Sequence, residues 1–220
     1  MTPVESIALW ADMLRDITAT GLKFAQGSYE RDNYQKIQTI ALEMFAVVAD
    51  QPLNQLEPLR SVIFKHPGPI SGGDAAIIDE QGRILLVQRA DDHKWAMPGG
   101  GLAVGETPAE GVEREALEET GIRCQATLLV GVFDSRLCGT VSLHHLYQYV
   151  FLCKLLDAYE VVNPSSHAHE VLATRWFAEH ALPTDLSPGH ALRINAAFHA
   201  WHGDQSAYFD HSNAAPLAPS

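Results

Sequence analysis

Basic residues are scarce in this chain: 15 lysines and arginines stand against 27 aspartates and glutamates, a formal net charge of -12. That balance disfavours general binding to nucleic acid, which needs a basic face to replace the counterions on phosphates. It leaves room for a small phosphorylated substrate, attracted locally by a metal ion and arginines. Long apolar runs are missing too. No stretch approaches the roughly 18 residues needed to span a bilayer, and the N-terminal segment, with Glu5, Asp12 and Asp16, does not resemble a signal peptide. The expectation is a cytoplasmic protein with no membrane partner. Cysteine is rare, with Cys124, Cys138 and Cys153 at no paired metal-ligand spacing, so the three are read as reduced structural residues.

The 220 residues, 46% of them apolar, suffice for one domain with an extension or for two small units. Ile7, Trp10, Ala11, Leu14 and Ile17 recur at helical spacing and predict a helix over about 4–24, ended by Gly21. Tyr34, Ile37, Ile40, Ala41, Met44, Phe45 and Val48 predict a second over 30–49, packed on the first as a hairpin across Gly27-Ser28. A short third segment covers Leu53 to Arg60. The proline- and glycine-rich stretch from His66 to Gly73 then breaks all periodicity and marks a domain boundary.

Beyond it the pattern is that of strands: Ala75 to Ile78, a turn at Glu80-Gln81-Gly82, and Ile84 to Arg89, read together as a hairpin. Ala126 to Phe133 and Leu146 to Leu155 read as buried strands, Thr174 to Phe177 as a shorter one, and Ser187-Pro188 as the cap of a last helix reaching about His202. Small, polar residues fill the C-terminal end, expected to be flexible. The domains expected are a helical extension (1–66), a linker (67–73), a mixed-sheet domain (74–203) and a tail (204–220).

The most informative stretch is GGLAVGETPAEGVEREALEETGI, from Gly100 to Ile122. Thr107 suits an N-cap, Pro108 the first helical position, Glu110 the return bond of a capping box, and Gly121 the left-handed C-terminal position. Between the caps Glu115, Glu118 and Glu119 stand at i, i+3 and i+4, so they share one ridge. They lie in the last two turns, where the helix dipole opposes acids and like charges repel. Such a cluster needs a counter-charge. Arg114 is the cation nearest in sequence, and a hard divalent ion such as Mg²⁺ or Mn²⁺ suits the oxygen ligands.

Gly100, Glu106 and the run Arg114-Glu115-Ala116-Leu117-Glu118-Glu119-Thr120-Gly121-Ile122 resemble the Nudix box. The resemblance implies an α/β fold, a Nudix-type α/β/α sandwich with a mixed sheet, over about Asp74 to His202, and an enzyme that cleaves phosphoric anhydride bonds. It implies Glu115, Glu118 and Glu119 as metal ligands, joined by a glycine-turn carbonyl, here assigned to Gly99, and Arg114 as an ion-pair partner orienting Glu118. Glu106 is expected to fix the loop. The general base is assigned to Glu118, with Glu170 assisting as base or extra ligand. Arg89 and Arg136 end strands and are candidates for phosphate or ribose, while Trp95 either stacks on a base or lines the core. His144, His145, His167 and His169 are not expected to hold metal.

The first sixty-odd residues, with Trp10, Gly21-Leu22, Tyr29-Glu30-Arg31-Asp32, Tyr34 and Ile40 to Met44, are similar to the small all-helical N-terminal extension of one bacterial Nudix group. That likeness implies a homodimer and a substrate such as CDP-choline or ADP-ribose. Many ADP-ribose pyrophosphatases carry a proline downstream of the box, where this chain has Leu137, Cys138 and Gly139, and Thr140 and its neighbours lack the tyrosine of dinucleoside polyphosphate hydrolases. The alternatives are an RNA 5′-pyrophosphohydrolase and a non-catalytic nucleotide-sensing module.

Overall fold

The structure, a computed structural model, describes residues 2–62, 64, 69–140, 146–156 and 170–211. Two compact units emerge, one from residues 1–68 with 103–105, the other from 69–102 with 106–220.

In the first unit α1 (Pro3–Phe24) and α2 (Ser28–Ala49) form the expected hairpin, followed by α3 (Leu53–Val62), which carries Pro58 inside it. Gly21 does not end α1. A side chain there would meet the Tyr34 ring at 2.3 Å, so this glycine lets the helices approach rather than stopping one. Ala41, Leu42 and Phe64 form the unit's core with Leu14 and Phe45 packed on it. The apolar stripes are wider than this core can cover, and Trp10 and Ile17 of α1 stay 55% exposed.

The second unit contains two sheets. The five-stranded one, ordered β4-β1-β6-β5-β8, comprises β1 (Ile70–Ile77), β4 (Gly99–Gly101), β5 (Cys124–Asp134), β6 (Leu146–Leu155) and β8 (Tyr208–Phe209). It is mixed: β1 runs parallel to β6, and β5 antiparallel to it. β2 (Arg83–Arg89), flanked by β3 (Trp95–Ala96) and β7 (Val171–Ala178), makes a second, antiparallel sheet. Helices α4 (Pro108–Thr120) and α5 (His190–Trp201) complete the unit.

Strand periodicity distributes β1 between two cores. Ala75 and Ile77 join Val112 and Ala116 of α4, whereas Ala76 and Ile78 join Ile194, Ala197 and Phe198 of α5. A strand buried on both faces reads as a continuous apolar run, and this alternation makes the layering helix, sheet, helix. Cys124 and Cys153 lie in the first core, Cys138 in the second, all three as free thiols.

Several sequence expectations change. The chain turns at Asp79–Gly82, where Asp79 Oδ1 accepts from the Gln81 and Arg83 amides, both at 2.9 Å. Among the described residues an isolated bridge, Ile78–Ile84, links the residue after β1 to β2, and the two strands pair in different sheets, so they do not form a hairpin. β1 begins at Ile70, inside the stretch read as linker, because its first residues pair with Leu146 onward in β6. The start of the expected tail contains β8, whose Tyr208 ring stacks on Phe133 at 4.5 Å between centroids; residues 212–220 lie outside the described ones. The last helix is capped by Gly189 at φ 87°, not by Ser187-Pro188, because the Ser187 amide donates to the Trp95 carbonyl at 2.7 Å. No helix among the described residues is long and apolar enough to cross a membrane.

Candidate active site

Local sequence builds α4. The Thr107 side chain accepts from the Glu110 amide at 3.2 Å, Glu110 answers on the Thr107 amide at 2.8 Å, and Gly121 closes the helix at φ 71°. Val112 and Ala116 face the core with no exposed surface, and that pins the helix by one side. Its other ridge then points Glu115, Glu118 and Glu119 into a cleft of about 690 Å³, which Arg89, Asp91, Gly99–Gly101, Arg114 and Glu170 also line.

Arg114 organises the acids. Its Nε and Nη2 donate to the two oxygens of Glu106 at 3.0 and 2.9 Å, and Nη1 is shared by Glu115 at 2.8 Å and Glu118 at 3.0 Å. A further bond from Nη2 reaches the Gly101 carbonyl at 3.1 Å. The expected ion pair to Glu118 is therefore one arm of a fork that also holds Glu115 and the Glu106 loop. These bonds raise the guanidinium pKa, Glu106 contributing most. Glu119 is turned elsewhere, accepting the Gly99 amide at 2.9 Å.

Burial pushes the Glu119 carboxyl up to about 7; the Gly99 amide opposes that and the charge of Glu115 adds to it. Glu115 is also raised, by burial first and against its bond to Arg114, with Glu118 adding to the rise. Acids whose ionised forms are disfavoured by burial and by one another are those a cation would relieve. The glycines leave room for it. A Cβ on Gly100 would lie 2.7 Å from the Glu115 carboxyl, and one on Gly99 would lie 2.2 Å from the Gly73 carbonyl oxygen. An all-oxygen donor set of this kind suits Mg²⁺ or Mn²⁺. Among the described residues no three ligating side chains converge on one point; Glu115 and Glu118 are drawn to Arg114 and Glu119 to Gly99.

Arg89 lines the cleft with its guanidinium forked onto Asp91 at 2.9 and 2.6 Å. Glu170 lines it too, and its carbonyl accepts the Ala90 amide at 2.8 Å. Two candidates fall elsewhere. Arg136 pairs with Asp134 outside the cleft. Trp95 is 6% exposed and packs edge-on against Phe177 at 4.9 Å, so it is a core residue rather than a surface for a base. His144, His145, His167 and His169 lie outside the described residues.

Sequence reading missed Asp74, Arg193 and His190. Asp74 and Arg193 form a buried ion pair from β1 to α5, at 5% and 2% exposure. Burial outweighs the arginine and raises the Asp74 carboxyl. The available signal was a lone acid in an apolar strand and a lone cation on an apolar helix face, each of which needs a buried partner.

Comparison with known proteins agrees with this geometry. Residues 71–197 match the NUDIX domain model, and residues 5–59 match a model described as a UDP-X-like N-terminal oligomerisation domain. A crystal structure of a UDP-X diphosphatase is similar at 26% identity and a TM-score of 0.58, covering 95% of this chain and all of that one. A putative ADP-ribose pyrophosphatase, YjhB of Bacillus subtilis, is 29% identical over 180 residues, 81% of this chain and 83% of that protein. A CMP-5′-(N-acetyl-N-hydroxy-3-aminopropyl)phosphonate hydrolase of Streptomyces rubellomurinus is 32% identical over 136 residues, 59% of this chain and 60% of that protein. With its box helix, its sandwich and a domain match over more than half its length, the chain belongs to the Nudix family, as a hydrolase acting on diphosphate bonds.

Proposed function

We propose that the protein hydrolyses the diphosphate of a nucleoside diphosphate linked to a second group, such as CDP-choline or ADP-ribose, giving a nucleoside monophosphate and a phosphorylated second product. The observation that carries this reading is the ridge of Glu115, Glu118 and Glu119 facing a 690 Å³ cleft walled by three side-chain-free glycines. The similar proteins named for UDP-X, ADP-ribose and a CMP-linked phosphonate all point to a nucleotide joined to something else.

In this reading Glu115, Glu118, Glu119 and the Gly99 carbonyl hold Mg²⁺ or Mn²⁺, which when bound supplies neutralising charge at the phosphoryl oxygens. Arg89, pre-oriented by Asp91, offers a planar fork to the phosphates. Arg114 keeps Glu115 and Glu118 in place. Glu118 accepts the proton of the attacking water, with Glu170 assisting from the same cleft.

The test is to incubate the purified chain with Mg²⁺ and CDP-alcohols, ADP-ribose, nucleotide sugars, nucleoside triphosphates and 5′-triphosphorylated RNA, and to follow released phosphates. Glu118→Gln is expected to lower kcat at least about a hundredfold, and an unchanged rate refutes the site. The helical unit is assigned to homodimer formation, on its match to an oligomerisation domain and on the exposed Trp10 and Ile17.

A further inference from the structure

Gly99 stands opposite Asp74 where β4 pairs with β1. Its amide donates to Glu119 at 2.9 Å rather than to β1, which takes the preceding carbonyl instead, the Ala75 amide donating to Pro98 at 2.8 Å. The N–H and C=O of a strand residue leave by the same edge, so the Gly99 carbonyl points away from β1 to the edge where Glu119 stands. The opposite side of this peptide is held too. A Cβ on Gly99 would lie 2.9 Å from Asp74 Oδ1, so the Asp74 carboxylate fills the place of a side chain there. Its other oxygen, Oδ2, accepts from Arg193 Nη1, and Arg193 Nε donates to the Gly189 carbonyl at 3.1 Å, at the cap of α5. One turn earlier on α5, the buried His190 accepts the Met97 amide on Nδ1 at 3.2 Å. The last helix therefore grips the approach to the glycine strand at two points.

A buried ion pair is a weak stabiliser. Both charges lose their hydration, and apolar residues of similar volume often replace such a pair with no loss of stability. What the pair does supply is direction, because a charge-assisted bond fixes donor and acceptor in a way that apolar contact, which has no direction, does not. Here that direction ends on Gly99. We infer that Asp74 and Arg193 are positioning residues for the metal site, fixing the Gly99 peptide so that its carbonyl stays beside the Glu119 carboxylate as a ligand to a divalent cation. The inference rests on the diphosphatase reading, in which Gly99 and Glu119 are both metal ligands. Neither Asp74 nor Arg193 is itself a ligand: Asp74 acts through Gly99, and Arg193 through Asp74. Groups that orient ligands in this way tune metal affinity by about 10–100-fold.

The experiment titrates the substrate-free full chain with Mn²⁺, following the free ion by electron paramagnetic resonance, and measures hydrogen exchange at the Gly99 amide without metal. Asp74→Leu combined with Arg193→Met removes both charges and keeps similar volume. This double variant is expected to melt near the native temperature, to bind Mn²⁺ about tenfold more weakly and to exchange the Gly99 amide faster. Arg193→Lys keeps a cation beside Asp74 but loses the planar fork that also reaches Gly189; it is expected to weaken binding in the same direction, and it decides the matter if the double variant does not fold. Native Mn²⁺ affinity in the folded double variant, or in Arg193→Lys standing in for it, overturns the inference and leaves the metal site intact. A lowered melting temperature with native affinity does the same, as the mark of a merely structural pair. If the native chain takes up no Mn²⁺ the metal reading fails, and the exchange still decides the positioning: a Gly99 amide as slow in the double variant as in the native chain overturns it.

Discussion

Arg114 is the residue on which the acidic ridge depends, because one guanidinium spans Glu106, Glu115 and Glu118. Lysine keeps the charge but loses the planar fork. Arg114→Lys is therefore expected to lower kcat/KM by about 10–100-fold, with little change in melting temperature; an unaltered kcat/KM for the cleaved nucleotide would sink this role. His190 gives a stability prediction instead. Its pKa in the fold is held well below the usual value by burial, so the unfolded chain takes up a proton below about pH 6.5 that the folded chain refuses. The unfolded state then binds more protons, and stability falls with falling pH, by up to about 1.4 kcal/mol per pH unit until the depressed folded pKa is reached. Thermal melts from pH 7.5 to 5 check this, and His190→Asn should flatten the slope.

At the scale of the element, α4 and the glycine strand β4 form one device. The capping residues set where the helix starts, its buried Val112 and Ala116 fix its rotation, and β4 brings backbone rather than side chains against the acids. Gly100→Ala tests the close approach. The added Cβ, 2.7 Å from the Glu115 carboxyl, displaces a flexible side chain rather than backbone. Activity is expected to fall by about tenfold or more while urea unfolding shifts by less than about 1 kcal/mol. A large loss of stability with normal activity in the surviving protein would contradict it. The box helix and its caps were legible in the sequence because every signal in them is local. The β1–β2 hairpin was misread because a turn specifies that the chain reverses, not that its flanking strands pair.

For the whole molecule the open question of assembly falls on the helical unit. Trp10 and Ile17 recur seven residues apart on α1 and stay exposed in the single chain, which fits a second copy as their cover. Trp10→Glu with Ile17→Glu is expected to convert a dimer to a monomer in sedimentation equilibrium. A chain that is monomeric before the substitution removes the proposal. Deleting residues 1–69 is expected to change oligomeric state or nucleotide affinity, and a monomer of full activity before and after would do the same.

The sequence by itself determined the box helix, its caps, the carboxylate ridge with Arg114 beside it, and the helical start of the chain. These are written in spacings of one to eight residues, over which helix geometry converts order directly into position. Only the tertiary structure decided that Arg89 and Glu170, 81 residues apart, line the cleft of the box glutamates while Arg136 turns to Asp134 and Trp95 sinks into the core. It alone joined Asp74 to Arg193 and set that pair against Gly99. Strand pairing and burial bring such residues together across long separations, and no local pattern encodes which of the available partners the folded sheets will select.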